Sequence, residues 1–166
     1  MLKHELTAQD IKKMEEEIEY RQVVLRKELL GHVKEARAHG DLSENFEYHA
    51  AKKEKNRNES RIRYLEKMIR NAKVIEDHSD QDQVGLNKTV TLFFEEDNEE
   101  EKFSVVTTVL ADSTKNRVSI ESPLGKAIMG HRKGDRVYIE VKPDFGYYVE
   151  IRDVEPFLED VPLNRY

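Results

Sequence analysis

Between Thr7 and Leu30 the chain carries neither Gly nor Pro, and Ile11, Met14, Ile18, Leu25, Leu29 and Ala36 recur at intervals of three, four or their sum. Such spacing puts one apolar stripe along a long helix, and Thr7 with Asp10 three residues later gives it a capping-box-like start. A second stripe of the same period, Tyr48, Ala51, Ile62, Leu65, Ile69 and Ala72, follows Gly40. Folding the chain about residues 38–41 sets Ile11 near Ile69, Met14 near Leu65, Ile18 near Ile62 and Gln22 near Asn58. Apolar then meets apolar and polar meets polar, so residues 1–76 are predicted to form an antiparallel coiled-coil arm with its tip near 38–46. In this register the Gln22 and Asn58 layer interrupts the seam, and Asn58→Leu is expected to stabilise the arm by about 1 kcal/mol. Helices of about 26 residues at ~1.5 Å each reach roughly 40 Å, and the tip of such an arm is too thin to hold a core. Whatever the tip does, it does inside something else.

Past the polar stretch "EDHSDQDQVG" the period changes to two. Candidate strands are Thr89–Phe94, Phe103–Leu110, Arg117–Glu121, Arg136–Val141 and Tyr147–Val154, separated by turn-like "EEDNEEEK", "DSTKN" and "KPDFG". Between the third and fourth, Ser122 at an N-cap, Pro123 at the first helical position and Gly130 just beyond predict a short helix. The expected fold is therefore α+β in two domains: the arm, a linker over 77–86, and an antiparallel sheet with one short helix over 87–155. The tail, 156–166, has two prolines and no sustained period, and is left unassigned.

Composition narrows the partners. The chain has 166 residues, no cysteine and 37% charged residues, which excludes disulfides and thiolate metal sites and leaves carboxylates and histidines as metal ligands. No apolar run approaches a bilayer span, and "MLKHELTAQD" lacks the apolar core of a signal peptide, so a cytoplasmic, membrane-free protein is expected. The net charge of −6 divides unevenly: residues 1–76 carry +2 and residues 77–166 carry −8. Within the arm, residues 52–73 hold nine basic side chains against three acids. A basic helix in an acidic protein fits a polyanion or an acidic channel wall, and equally a solvated face with internal ion pairs.

Candidate chemistry concentrates in "HGDLSENFEYHAAKKEK", residues 39–55. Taken alone, Asp41 and Glu44 read as a capping box that starts the second helix, with Gly40 supplying backbone freedom. Their surroundings point elsewhere, because apolar Leu42 and Phe46 and basic Arg37, Lys52 and Lys53 gather where no core exists. Two carboxylates are too few to hold Mg²⁺, which takes six oxygens and gives up water reluctantly, but they suffice to complete a site whose other ligands belong to a partner. Zinc through His39 and His49 is disfavoured, since His49 lies five residues beyond Glu44 on another side of a helix.

At these residues the sequence resembles the Gre family of bacterial transcript cleavage factors. "GDLSENFEYHAAKKE" is similar to that family's tip signature, and "NAKVI" at 71–75 and "SPLGKAIMG" at 122–130 carry the likeness to about residue 155. The resemblance implies a coiled-coil arm followed by an FKBP-like domain. It also implies that the arm enters the secondary channel of a stalled, backtracked RNA polymerase and stimulates the polymerase's own Mg²⁺-dependent cleavage of nascent RNA. By the same resemblance Asp41 and Glu44 complete the shared metal site, Arg37 and Lys52 lie near the transcript's 3′ end, and Ser122, Pro123 and Leu124 belong to the surface that docks on the polymerase. On this reading the protein is no enzyme by itself, has no small-molecule substrate, and binds no cofactor tightly alone. The chain departs from the family pattern at "TTVLAD" (107–112), at "KPDFG", at Phe46 and in the tail. A relative that occupies the same channel without stimulating cleavage is the alternative, and the isomerase activity of FKBP-like proteins and salt-sensitive nucleic-acid binding are more distant ones.

Overall fold

The structure, a computed structural model, describes residues 3–40 and 45–165. It divides into two compact units, one made of residues 8–73 with the N-terminal end and one made of residues 74–165 with 5–7. The fold is α+β, with a helical N-terminal region followed by a sheet domain.

The first unit is built from α1 (Ala8–Tyr20), a π-helical turn (Arg21–Leu25), α2 (Arg26–Arg37) and α3 (Phe46–Arg70). Met14 and Val33 from one side and Ile62, Leu65 and Met68 from the other are buried along the seam. Each such side chain contributes about 1.5–3 kcal/mol of transfer free energy, which is what keeps a two-helix arm from fraying. Cross-links fit antiparallel pairing: Arg61 Nε donates to Glu17 at 2.8 Å, and Arg26 donates to Glu59 through Nε at 3.0 Å and Nη2 at 2.9 Å.

The expected polar layer is present with a different partner. Asn58, only 2% exposed, accepts from Arg21 Nη1 (2.9 Å) and donates through Nδ2 to the Arg21 carbonyl (3.3 Å). Gln22 instead reaches Glu66 at 3.3 Å on the exposed surface. The cause is the π turn, in which the Arg26 N–H bonds to the Arg21 carbonyl across five residues and so inserts one residue into the helical phase. A seam position already occupied by polar residues has no apolar burial to hold the α pitch. Asn58 is therefore a satisfied buried amide, and Asn58→Leu removes both of its bonds where an interrupted apolar seam was expected to gain from the change.

After α3 the chain forms β2 (Ala72–Val74), which pairs with β1 (His4–Leu6) in a two-stranded sheet. Five further strands follow, β3 (Lys88–Phe94), β4 (Glu99–Val106), β5 (Arg117–Ser119), β6 (Arg136–Lys142) and β7 (Phe145–Pro156), in the order β5-β4-β3-β7-β6. Alternation puts Val90, Leu92, Val105, Val137, Ile139, Val149 and Ile151 on one face, where α4 (Pro123–Ile128) contributes Ile128. The sheet is mixed, not antiparallel as expected, because β5 runs parallel to β4. Two successive reversals intervene, one at Thr108–Leu110 and one at Ser113–Lys115 closed by a left-handed Asn116, and an even number of reversals restores the strand direction.

Residues 77–86, expected as a linker, are built into this unit. Val84 and Leu86 are buried in its core, the Val84 N–H donates to the His131 carbonyl (2.8 Å), and Arg132 grips both Asp80 and Asp82. Two apolar residues in an otherwise polar string give little periodicity to read, yet they suffice to anchor it.

Candidate functional site

Asp41 and Glu44 lie outside the described residues, and Leu42 and Ser43 with them. What the structure defines is the frame on either side. Arg37 closes α2, Gly40 has φ of +123°, and α3 begins at Phe46 with Asn45 as its N-cap. The Asn45 side chain accepts from the Tyr48 N–H (3.0 Å) and donates through Nδ2 to the Ala36 carbonyl (2.7 Å). One amide thus satisfies an orphan donor at the start of α3 and ties it to the end of α2, a double role that no carboxylate could fill without a proton. The capping-box reading of Asp41 and Glu44 as the start of the second helix is displaced by this geometry. Asn at position 45 with Tyr three residues on was visible in the sequence, and Asn ranks with Asp as a cap.

Two more contacts cross the base of the tip. The Arg37 guanidinium lies over the Tyr48 ring, 5.6 Å from its centroid, and His39 Nδ1 approaches Glu47 at 3.1 Å. The hydrogen bond from Arg37 holds the Tyr48 phenol below its ordinary range, against a smaller opposing effect of burial, and Lys52 adds to the lowering. Arg37 by contact and Lys52 by its charge therefore act on one aromatic residue that the periodicity places in the apolar stripe. Phe46 is 87% exposed, a large apolar side chain in water at the arm's end. Among the described residues no group of three His, Asp or Glu gathers to hold a metal ion, and His39 and His49 are engaged with Glu47 and the Tyr48 ring.

The basic helix is not uniform: Arg61 is largely buried in an ion pair with Glu17, while Arg57, paired with Glu54, and Lys52, Lys53, Lys67 and Arg70 are exposed. At Glu17, burial would raise the carboxyl, but hydrogen bonds from Arg61 and Arg21 outweigh it and hold the group below its ordinary range.

In the second unit, Ser122, Pro123 and Leu124 form the start of α4. Ser122 Oγ accepts from the Gly125 N–H (3.0 Å) and donates to the Ser119 carbonyl (2.6 Å), Pro123 is exposed, and Leu124 is half-buried against the core. Gly125 leaves no choice of residue, since a Cβ there would stand 2.0 Å from the Ser119 carbonyl oxygen. Of the three, Pro123 presents the most free surface and Ser122 shapes the loop.

Two family models match the chain: "Transcription elongation factor, N-terminal" over residues 4–74 and "Transcription elongation factor, GreA/GreB, C-term" over residues 78–156. Among curated relatives, the transcription elongation factor GreA of Thermoanaerobacter pseudethanolicus is 47% identical over 137 residues, covering 82% of this chain and 87% of its own. GreA of Bacillus subtilis is 42% identical over 135 residues, covering 81% and 86%. A solved structure of the transcription factor Gfh1 aligns with a TM-score of 0.46 at 26% identity, covering 92% of this chain and 97% of that one. Among the described residues no helix is long and apolar enough to cross a membrane.

Proposed function

The chain belongs to the GreA/GreB family of transcription elongation factors, and from that premise we propose that it acts on RNA polymerase by inserting its helical arm into the secondary channel. There it stimulates the polymerase's own cleavage of backtracked nascent RNA. The reaction is the polymerase's, and this chain supplies groups to it. The observation that carries the proposal is the Asn45 cap: the side chain that caps α3 is that of Asn45, and on this reading the carboxylates of Asp41 and Glu44 serve the metal instead. Both are hard oxygen donors of the kind Mg²⁺ takes, and as a pair they fit an incomplete site shared with the partner. Mg²⁺, when bound, activates water and stabilises the leaving oxygen in phosphodiester cleavage. Arg37 and Lys52, gathered about Tyr48, offer cations to phosphates at the transcript's 3′ end. In the second unit the exposed Pro123, on a loop shaped by Ser122 with Leu124 beneath, docks on the polymerase.

The test removes the two negative charges at nearly constant side-chain size and leaves one carbonyl oxygen on each side chain. The double variant Asp41→Asn, Glu44→Gln is expected to compete with the wild type for backtracked elongation complexes but to leave the labelled transcript uncut at limiting Mg²⁺. Shortening of the RNA at the wild-type rate would refute the assignment. Binding and altered synthesis without cleavage by the wild type itself would identify a channel-occupying regulator.

A further inference from the structure

Residues 157–165 lie beyond the stretch that the family models match, and they are folded back onto the second unit. The Phe157 N–H donates to the Asn87 carbonyl (2.9 Å), Val161 is buried, and the Asn164 N–H donates to the Val109 carbonyl (2.8 Å). The Asn164 side chain donates to the Thr108 carbonyl at 2.9 Å and reaches the Ala111 carbonyl at 3.5 Å. Between Pro156 and Pro162 the segment has no regular structure, so it is held by tertiary contacts such as these bonds and the burial of Val161.

Thr108 is also the anchor of the loop that leads into α4. Its hydroxyl donates to the Glu121 carboxylate. Having one proton, it must then accept in its 2.8 Å contact with the Ser119 hydroxyl, so Ser119 is the donor there. Ser119 Oγ in turn accepts from the Glu121 N–H (3.0 Å), and the Ser119 carbonyl accepts from Ser122 Oγ, the group that caps α4. A hydrogen-bonded path therefore runs from Asn164 through Thr108, Ser119 and Glu121 to Ser122, the residue before Pro123, with each donor assigned. Gly125 packs on the same Ser119 carbonyl too closely for any Cβ, so a shift of the 108–119 segment is transmitted to α4 with little slack.

We propose that the C-terminal segment 157–165 is a strap that fixes the 119–124 loop through Thr108, and that it thereby sets how tightly this loop binds its polymerase partner. The second clause rests on the docking role given to Pro123 above. Side chains frozen in the bound geometry before contact spare the complex their ordering entropy, which is how a strap outside the contact surface raises affinity.

The test compares the full chain with a chain ending at Pro156 and with Asn164→Asp, which turns a carboxylate toward the two carbonyls. Amide exchange is read at Glu121 and Gly125, which report the loop, and on β3 and β7, which report the core. The strap predicts that both variants exchange faster at Glu121 and Gly125 by about tenfold, as for loss of roughly 1–1.5 kcal/mol of local stability, with the core strands unchanged. Affinity for polymerase should fall by a similar factor. Unchanged exchange at both amides, or equal acceleration throughout the core, would overturn the strap. Accelerated loop exchange with undiminished affinity, while Pro123→Asp weakens binding, would overturn the link to affinity. If Pro123→Asp also left affinity intact, the strap would stand and the docking role of the loop would fall.

Discussion

Replacing Asn45 by Ala removes two bonds with one change, and their separate costs are legible in the structure. The 3.0 Å bond from the Tyr48 N–H is a helix cap, a contribution of about 1 kcal/mol. The 2.7 Å bond to the Ala36 carbonyl is a neutral, part-buried hydrogen bond of about 1 kcal/mol, and its loss leaves that carbonyl with the His39 N–H at 3.2 Å. Asn45→Ala should therefore destabilise the arm by roughly 2 kcal/mol. Asn45→Asp separates the two terms: the acceptor for Tyr48 stays and gains about 0.3–1 kcal/mol from the helix dipole, while the donor to Ala36 is lost and a carboxylate faces a carbonyl. Its net cost should be about 1 kcal/mol. Asp41→Asn with Glu44→Gln leaves both Asn45 bonds in place and should change stability by less than about 0.5 kcal/mol, the usual range for substitutions that remove no named contact. Denaturant unfolding followed by helical circular dichroism measures all three, and amide exchange at Tyr48 localises the effect. If the double variant cost as much as Asn45→Ala, the helix start would be drawing on Asp41 and Glu44, and the case for their being free to serve a metal would collapse.

Two further outcomes follow from the arm. Asn58→Leu forfeits a charge-assisted bond of about 1.5–3 kcal/mol to Arg21 and regains part of it as apolar burial, so the arm should lose about 1 kcal/mol; a rise in stability would restore the apolar-seam expectation, and a cycle with Arg21→Met should show coupling near 1 kcal/mol. For Glu17 the folded-state pKa lies below the ordinary value, so its contribution is complete above the unfolded pKa of about 4.3 and is lost as pH falls through the folded one. Arm stability should thus be flat from neutral pH to about 5 and fall below that, and Glu17→Gln should remove part of the acid slope; an unchanged slope would mean that the pairing with Arg61 and Arg21 contributes nothing.

Periodicity by itself determined the arm, its antiparallel pairing and the β-rich half, because a helical seam and an alternating strand each repeat a burial decision many times and errors average out. The tip signature likewise carried the family, since its acids, aromatics and cations sit at fixed local spacing. Decisions taken once, between residues far apart, were left to the tertiary structure. Whether Gln22 or Arg21 faces Asn58 depends on a single inserted residue in a π turn, which leaves no periodic trace. Whether Asp41 or Asn45 caps α3 depends on the Ala36 carbonyl nine residues back, which only Asn45 can answer with a donor. The direction of β5 follows from two reversals whose parity local turn signals do not reveal. The tail was illegible for the same reason: Asn164 acquires its role only where folding brings it to Thr108, 56 residues away in sequence.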